Sequence, residues 1–247
     1  MKLEFFDGEK HSDYWENFVK YAREPNEEQQ EFFGELIPEI VGKIEDLTGI
    51  SADFTLYFAS TDETEIQEGA TVNQYVHGHS FAGWTGPGID VVMLRAVRGR
   101  ENWRECLVNM IAHEMAHLDF YRSIEDREFD WKKNWFQMVF EGHAMNTAEK
   151  VTGKLGIDWE PHYRSDNPPE IDSEAVRAKF DEERVPGPES LFQRGGNNCE
   201  DAEGYNLSYL LVKDILERLD IKLKELPELD QDQMRDEVVR SFHYIYA

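Results

Sequence analysis

The strongest constraint on how this chain can fold is the run Asn102 to Tyr121, N-W-R-E-C-L-V-N-M-I-A-H-E-M-A-H-L-D-F-Y, which contains neither glycine nor proline. Trp103, Leu107, Met110, Ile111, Glu114 and Leu118 recur at helical spacing, so the segment is predicted to be a core helix. Inside it lies His113-Glu114-Met115-Ala116-His117. Positions i and i+4 of an α-helix are about 400° of rotation apart, so both imidazoles leave one face, one turn from each other. Two neutral imidazole nitrogens so placed can grip one Zn²⁺. Glu114 projects about 60° from the His117 direction, near enough to act as general base on a water at the metal without ligating it.

A catalytic zinc takes three protein ligands and keeps one position open. Phe140-Glu141-Gly142-His143-Ala144 offers two candidates for the third. Positions two apart on a helix face about 200° away from each other, so only one of Glu141 and His143 can point at the metal. Glu141 follows His117 by 24 residues, enough for one helix to end and a second to run back beside it. Trp135, Met138, Ala144 and Met145 surround its helical face, and a carboxylate partly buried there wants a cation. Glu141 is the expected ligand, with His143 as the alternative.

The 247 residues suffice for one large domain or two lobes without covalent staples. Cys106 and Cys199 fit no C-x-x-C pattern, the first ten residues hold no apolar signal core, and a cytoplasmic protein is expected. Nothing approaches the roughly 18 uninterrupted apolar residues of a membrane span. The formal charge is −25, from 51 acidic and 26 basic residues. Such a surface repels phosphate backbones and anionic lipids, which argues against nucleic-acid and membrane partners and would draw cationic segments. It suits a high-salt host and an ordinary acidic protein equally.

The first 50 residues read as helical. Ser12 to Ala22 is one candidate helix, and Asn26 with Gln29 forms a capping box ahead of a second that runs to about Leu47. Phe54–Phe58, Thr71–Val76 and Gly88–Ala96 are rich in β-branched and aromatic residues and read as a small antiparallel sheet. Gly78 to Gly88 reads as the loop between the last two strands. Further helices are expected at Trp131–Val151, ended by Gly153, and at Asp172–Glu183, Ala202–Leu219 and Asp230–His243. Pro161–Pro169 and Val185–Asn198 read as loops, with Gln193 to Cys199 the strongest loop signal of the C-terminal half.

A helical H-E-x-x-H followed some twenty residues later by a helical Glu resembles the gluzincin group of metallopeptidases. More specifically, the chain resembles a poorly characterised family of predicted Zn-dependent proteases. The resemblance rests on G-W-T-G-P-G-I-D-V-V-M-L, I-A-H-E-M-A-H, E-G-H-A at Glu141 to Ala144, and G-Y-N-L-S-Y-L-L-V at Gly204 to Val212. It covers roughly Phe54 to Leu219. The family pattern is E-G-L-A and G-Y-x-x-G-Y-x-x-V, so His143 and Ser208 depart from it. Gluzincins of the thermolysin type also place an acid four residues after the third ligand, where this chain has Met145; Asp119, Glu149 or backbone carbonyls are expected in its stead.

The resemblance implies one Zn²⁺ per chain on His113, His117 and Glu141, with Glu114 as catalytic base. It implies an α+β, zincin-like fold: a small antiparallel sheet lobe packed on a mainly helical lobe, with H-E-x-x-H on the central helix. The expected division is an N-terminal helical segment 1–50 and a metallopeptidase domain 51–247, or a single domain 1–247. The expected activity is hydrolysis of peptide bonds in a peptide or protein substrate through a metal-activated water. A metal-dependent hydrolase of another amide or ester, or a silent peptide- or protein-binding member, are the alternatives. Tyr205 is the first candidate for a second donor to the oxyanion, with Tyr209, His162 and Arg122 behind it. Ile89–Leu94, taken as an edge strand, could pair with an extended substrate. His77 and His79, two apart, read as solvent-facing polar residues. The sequence leaves the oligomeric state open.

Overall fold

The computed structural model describes residues 1–7, 23–60, 81–85, 91–96, 103–157, 165–183 and 203–247. Expectations for Ser12–Ala22, Thr71–Val76, His77, His79, His162 and Gln193–Cys199 lie outside them. The chain divides into two compact units, residues 1–119 with 148–161 and residues 120–147 with 162–247.

The first unit holds a four-stranded sheet. Its strands are β1 (Lys2–Phe5), β2 (Thr55–Ser60), β3 (Phe81–Thr85) and β4 (Val91–Ala96), in the order β1-β2-β4-β3. β1 pairs parallel with β2, β2 parallel with β4, and only β3 runs antiparallel to β4. The sheet is therefore mixed, not antiparallel as expected. Parallel neighbours need a long crossover, and between β1 and β2 the chain runs through helix α1 (Glu27–Thr48). Three further expectations are corrected here. The first 50 residues are not all helical, because Lys2–Phe5 is a strand whose partner lies 53 residues on, so residues 1–50 share a sheet with residues beyond them. Phe81–Thr85, read as loop for its glycines, is a strand: Gly83 is paired with Leu94, a partner that local composition does not reveal. β4 has β2 on one side and β3 on the other, so it is no edge strand.

The core of this unit follows from period-two alternation. Leu56 and Phe58 are fully buried, and their register partners Val92 and Leu94 are buried with them. α1 contributes Phe33, Ile37, Ile40, Val41 and Ile44 to the core, and the Phe33 ring meets Phe58 tilted by 36°, 4.4 Å between ring centroids. The capping box at Asn26 and Gln29 is present, with reciprocal bonds of 2.9 and 3.0 Å. The helix ends at Gly49, whose φ of 79° is left-handed.

The remaining helices are α2 (Trp103–Ile124), α3 (Asn134–Lys154), α4 (Ser173–Ala178), α5 (Glu203–Leu219) and α6 (Gln231–Ile245), with a 3₁₀ turn at Leu223–Glu228. Gly153 does not end α3; the chain leaves it at Gly156, with φ of 68°. α4 is much shorter than the predicted Asp172–Glu183. The carbonyls beyond it are diverted: Phe180 O and Glu182 O accept the Trp135 and Asn134 amides, and Lys179 O accepts the Asn134 side chain. They cap the first turn of α3, whose amides have no partner in their own helix.

The second unit has an aromatic core. Phe120, Phe136 and Phe140 pack edge-on or stacked within about 6 Å, and Phe180 meets Phe242 of α6 at 5.0 Å. α6 is fastened to α5 by Arg218, which donates to the Glu237 carboxylate and to Ser241 Oγ. No helix among the described residues is long and apolar enough to cross a membrane.

Candidate metal centre

The predicted motif helix forms over Trp103–Ile124, and it is buried on more than one side. From Cys106 to Leu118 every residue but Met110 is buried, including His113, Glu114 and His117. Carboxylates and imidazoles are seldom enclosed without a partner or a metal. His113 Nε2 and His117 Nε2 lie 3.0 Å apart, with the rings perpendicular at 87°. Two nitrogens each about 2.05 Å from one tetrahedral ion would be separated by about 3.3 Å. The pair therefore already has the spacing of ligands to one cation.

α3 supplies the third group. From Asn134 to Ala148 its residues are buried all round, and Glu141 alone in that stretch keeps partial exposure. A helix buried on every side belongs to a core, and Glu141 is the one residue of this stretch left partly open to solvent. One ligand atom each from His113, His117 and Glu141 lies within 4.8 Å of the others. That limit exceeds tetrahedral donor spacing by about 1.5 Å, which the rotatable bonds of a glutamate can cover. Two imidazoles and a carboxylate suit a divalent transition metal, and a metal ion can be held here.

His143, the alternative ligand, points elsewhere. It is buried, its ring meets Phe120 edge-on at 5.1 Å, and its carbonyl accepts from Thr147 Oγ1. Packing in the aromatic core holds it there, as the 200° separation from Glu141 requires.

The other expected participants fall into two groups. Tyr205 is half-buried against the aromatic core of the second unit. Tyr209 is buried, and its hydroxyl accepts from Lys213 Nζ at 3.3 Å. That ammonium also donates to Asp166 at 2.8 Å, and the carboxylate holds the lysine above its ordinary pKa. Asp119, Arg122 and Glu149 are partly exposed. Met145, where an acid was absent, is buried.

Sequence reasoning missed how Glu141 is carried. A Cβ on Gly142 would lie 2.1 Å from the backbone oxygen of Ser208, so α3 and α5 touch backbone to backbone at this point. Asn146 reinforces the contact, donating from Nδ2 to Gly142 O at 2.8 Å and to Tyr209 O at 3.1 Å. The clue was present in E-G-H-A and G-Y-N-L-S-Y: each motif has a small residue inside a helix, and the two small residues are each other's neighbour.

Neither family models, curated proteins nor solved structures give a match to this chain.

Proposed function

We propose that the chain is a zinc-dependent peptidase of zincin-like, gluzincin-type architecture that hydrolyses peptide or protein substrates. The observation that carries this reading is the convergence of His113, His117 and Glu141, with Glu114 buried between the two histidines in sequence. His113, His117 and Glu141 would hold the cation, and zinc binds such a set more tightly than cobalt or manganese. When bound, the metal supplies Lewis acidity, polarising the scissile carbonyl and lowering the pKa of water.

The chain's own residues do the proton work. Glu114 takes the proton of the attacking water and returns it to the leaving amine, a role that suits a carboxylate enclosed beside a cation. Tyr205 is proposed as the second donor to the developing oxyanion. A cytoplasmic setting belongs to the same reading, since the cysteine usage suits a reducing compartment; so does the absence of nucleic-acid and membrane partners, on the charge argument.

The test is elemental analysis of the purified protein beside Glu141→Ala and His143→Ala, followed by a peptide-library screen with Glu114→Gln as the inactive control. About one zinc per chain, lost in Glu141→Ala and kept in His143→Ala, is expected. Turnover should fall by about 10²- to 10⁴-fold in Glu114→Gln with metal retained. Turnover of simple esters but of no peptide would move the assignment to a non-peptide hydrolase. Metal without any turnover would leave a binding protein, and no metal after zinc is supplied would end the reading.

A further inference from the structure

Glu141 and His143 compete for one role, and the structure contains a device that decides between them. Around the α3 axis, Gly142 and Asn146 lie on one stripe about 40° wide, Glu141 lies about 100° to one side of Gly142, and His143 about 100° to the other. The stripe is fixed against α5 in two independent ways. Gly142 sits so close to Ser208 O that only a hydrogen fits between the backbones. Asn146 then bonds across to Tyr209 O, a carbonyl of α5 itself, which it can reach only while the stripe faces that helix. Asn146 is buried, so the amide makes both bonds out of contact with solvent.

We infer that Asn146 is a positioning residue: by locking the rotation of α3 on α5, it presents Glu141 and withholds His143, and so sets the two-histidine, one-carboxylate character of the site. The inference rests on the metal-site reading above.

Asn146→Ser isolates the cross-helix bond. A serine hydroxyl can still bond the carbonyl four residues back, as Thr147 and Thr152 do in this same helix, but it cannot span to Tyr209 O. Co²⁺ titrations followed by visible absorbance would be run on the parent, Asn146→Ser, Glu141→Ala and the double variant, with metal-free thermal unfolding alongside. Asn146→Ser is expected to weaken Co²⁺ binding about 10- to 100-fold, the range for residues that orient metal ligands. At the higher Co²⁺ concentrations that the two histidines alone require in the Glu141→Ala background it should add little, because a residue acting through Glu141 has nothing left to act on. A residue that only stabilises the fold would impose the same fold-loss in both backgrounds.

Equal losses in both backgrounds, or unchanged binding in Asn146→Ser, would overturn the inference and leave the metal site standing. A parent that binds no Co²⁺, or binds it equally well without Glu141, would overturn the site reading and the inference with it.

Discussion

Replacing Gly142 by alanine sets local propensity against tertiary packing at a single atom. In a free helix the change is favourable by about 1 kcal/mol, since glycine is the more costly residue in a helix interior. Here the new carbon would lie 2.1 Å from Ser208 O, with Val212 Cγ2 at 2.6 Å. An unstrained contact needs about 3.5 Å, so α3 and α5 would have to part by roughly 1.4 Å. That retreat would stretch the 3.1 Å bond from Asn146 to Tyr209 O beyond hydrogen-bonding range. Overpacking costs about 1–3 kcal/mol and a broken buried hydrogen bond about 1–3 more. Set against the propensity gain, Gly142→Ala should destabilise by about 3 kcal/mol, a fall of about 6–12 °C in the thermal midpoint for a chain of this size. Gly153 is the control on the same helix: a Cβ there meets nothing within 4 Å, so Gly153→Ala should raise the midpoint by about 2–4 °C. Both are read by circular dichroism melts of the metal-free protein. A Gly142→Ala midpoint at or above that of the parent would refute the backbone contact between α3 and α5.

Three further outcomes are expected. Asn26→Ala removes the capping box of α1 and should cost about 1 kcal/mol in urea unfolding, with no loss of metal. Arg235 holds the Asp181 carboxyl below its ordinary pKa, chiefly by hydrogen bonds of 2.6 and 2.5 Å. The contribution of this pair is thus fully present above the unfolded value near 4 and lost as pH falls through the lowered folded value. Because both side chains are more than a third exposed it is under about 1 kcal/mol, so Asp181→Asn should show a small deficit at pH 7 that closes as the carboxyl protonates in acid; an equal deficit at neutral and at acid pH would exclude the ion pair as its cause. Zinc at about a hundred times its dissociation constant should add about 2.7 kcal/mol, read as a midpoint raised by about 5–11 °C, reversed by chelator and missing in Glu141→Ala.

The candidate ligands were legible in the chain because helical geometry is local. Once Asn102–Tyr121 is helical, His113 and His117 must share a face, and once Glu141 and His143 stand two apart on a helix they must diverge. The same locality made the Asn26 capping box readable, and placed α1, α2, α3, α5 and α6 to within a few residues. What failed was pairing. The direction of β1 against β2, the strand at Phe81–Thr85 and the inner position of β4 depend on partners tens of residues away, which no window of sequence contains. α4 is short because distant amides at the start of α3 claim the carbonyls that follow it.

By itself, then, the sequence determined which side chains each helix could present together, since period and spacing are properties of a few consecutive residues. Only the tertiary structure decided which face of α3 meets α5, and with it that Glu141, not His143, joins the histidines. That choice is made by a backbone-to-backbone contact at Gly142 and a carbonyl of Tyr209. Backbone groups are the same at every position of the chain, so their selection is visible only once the helices have packed.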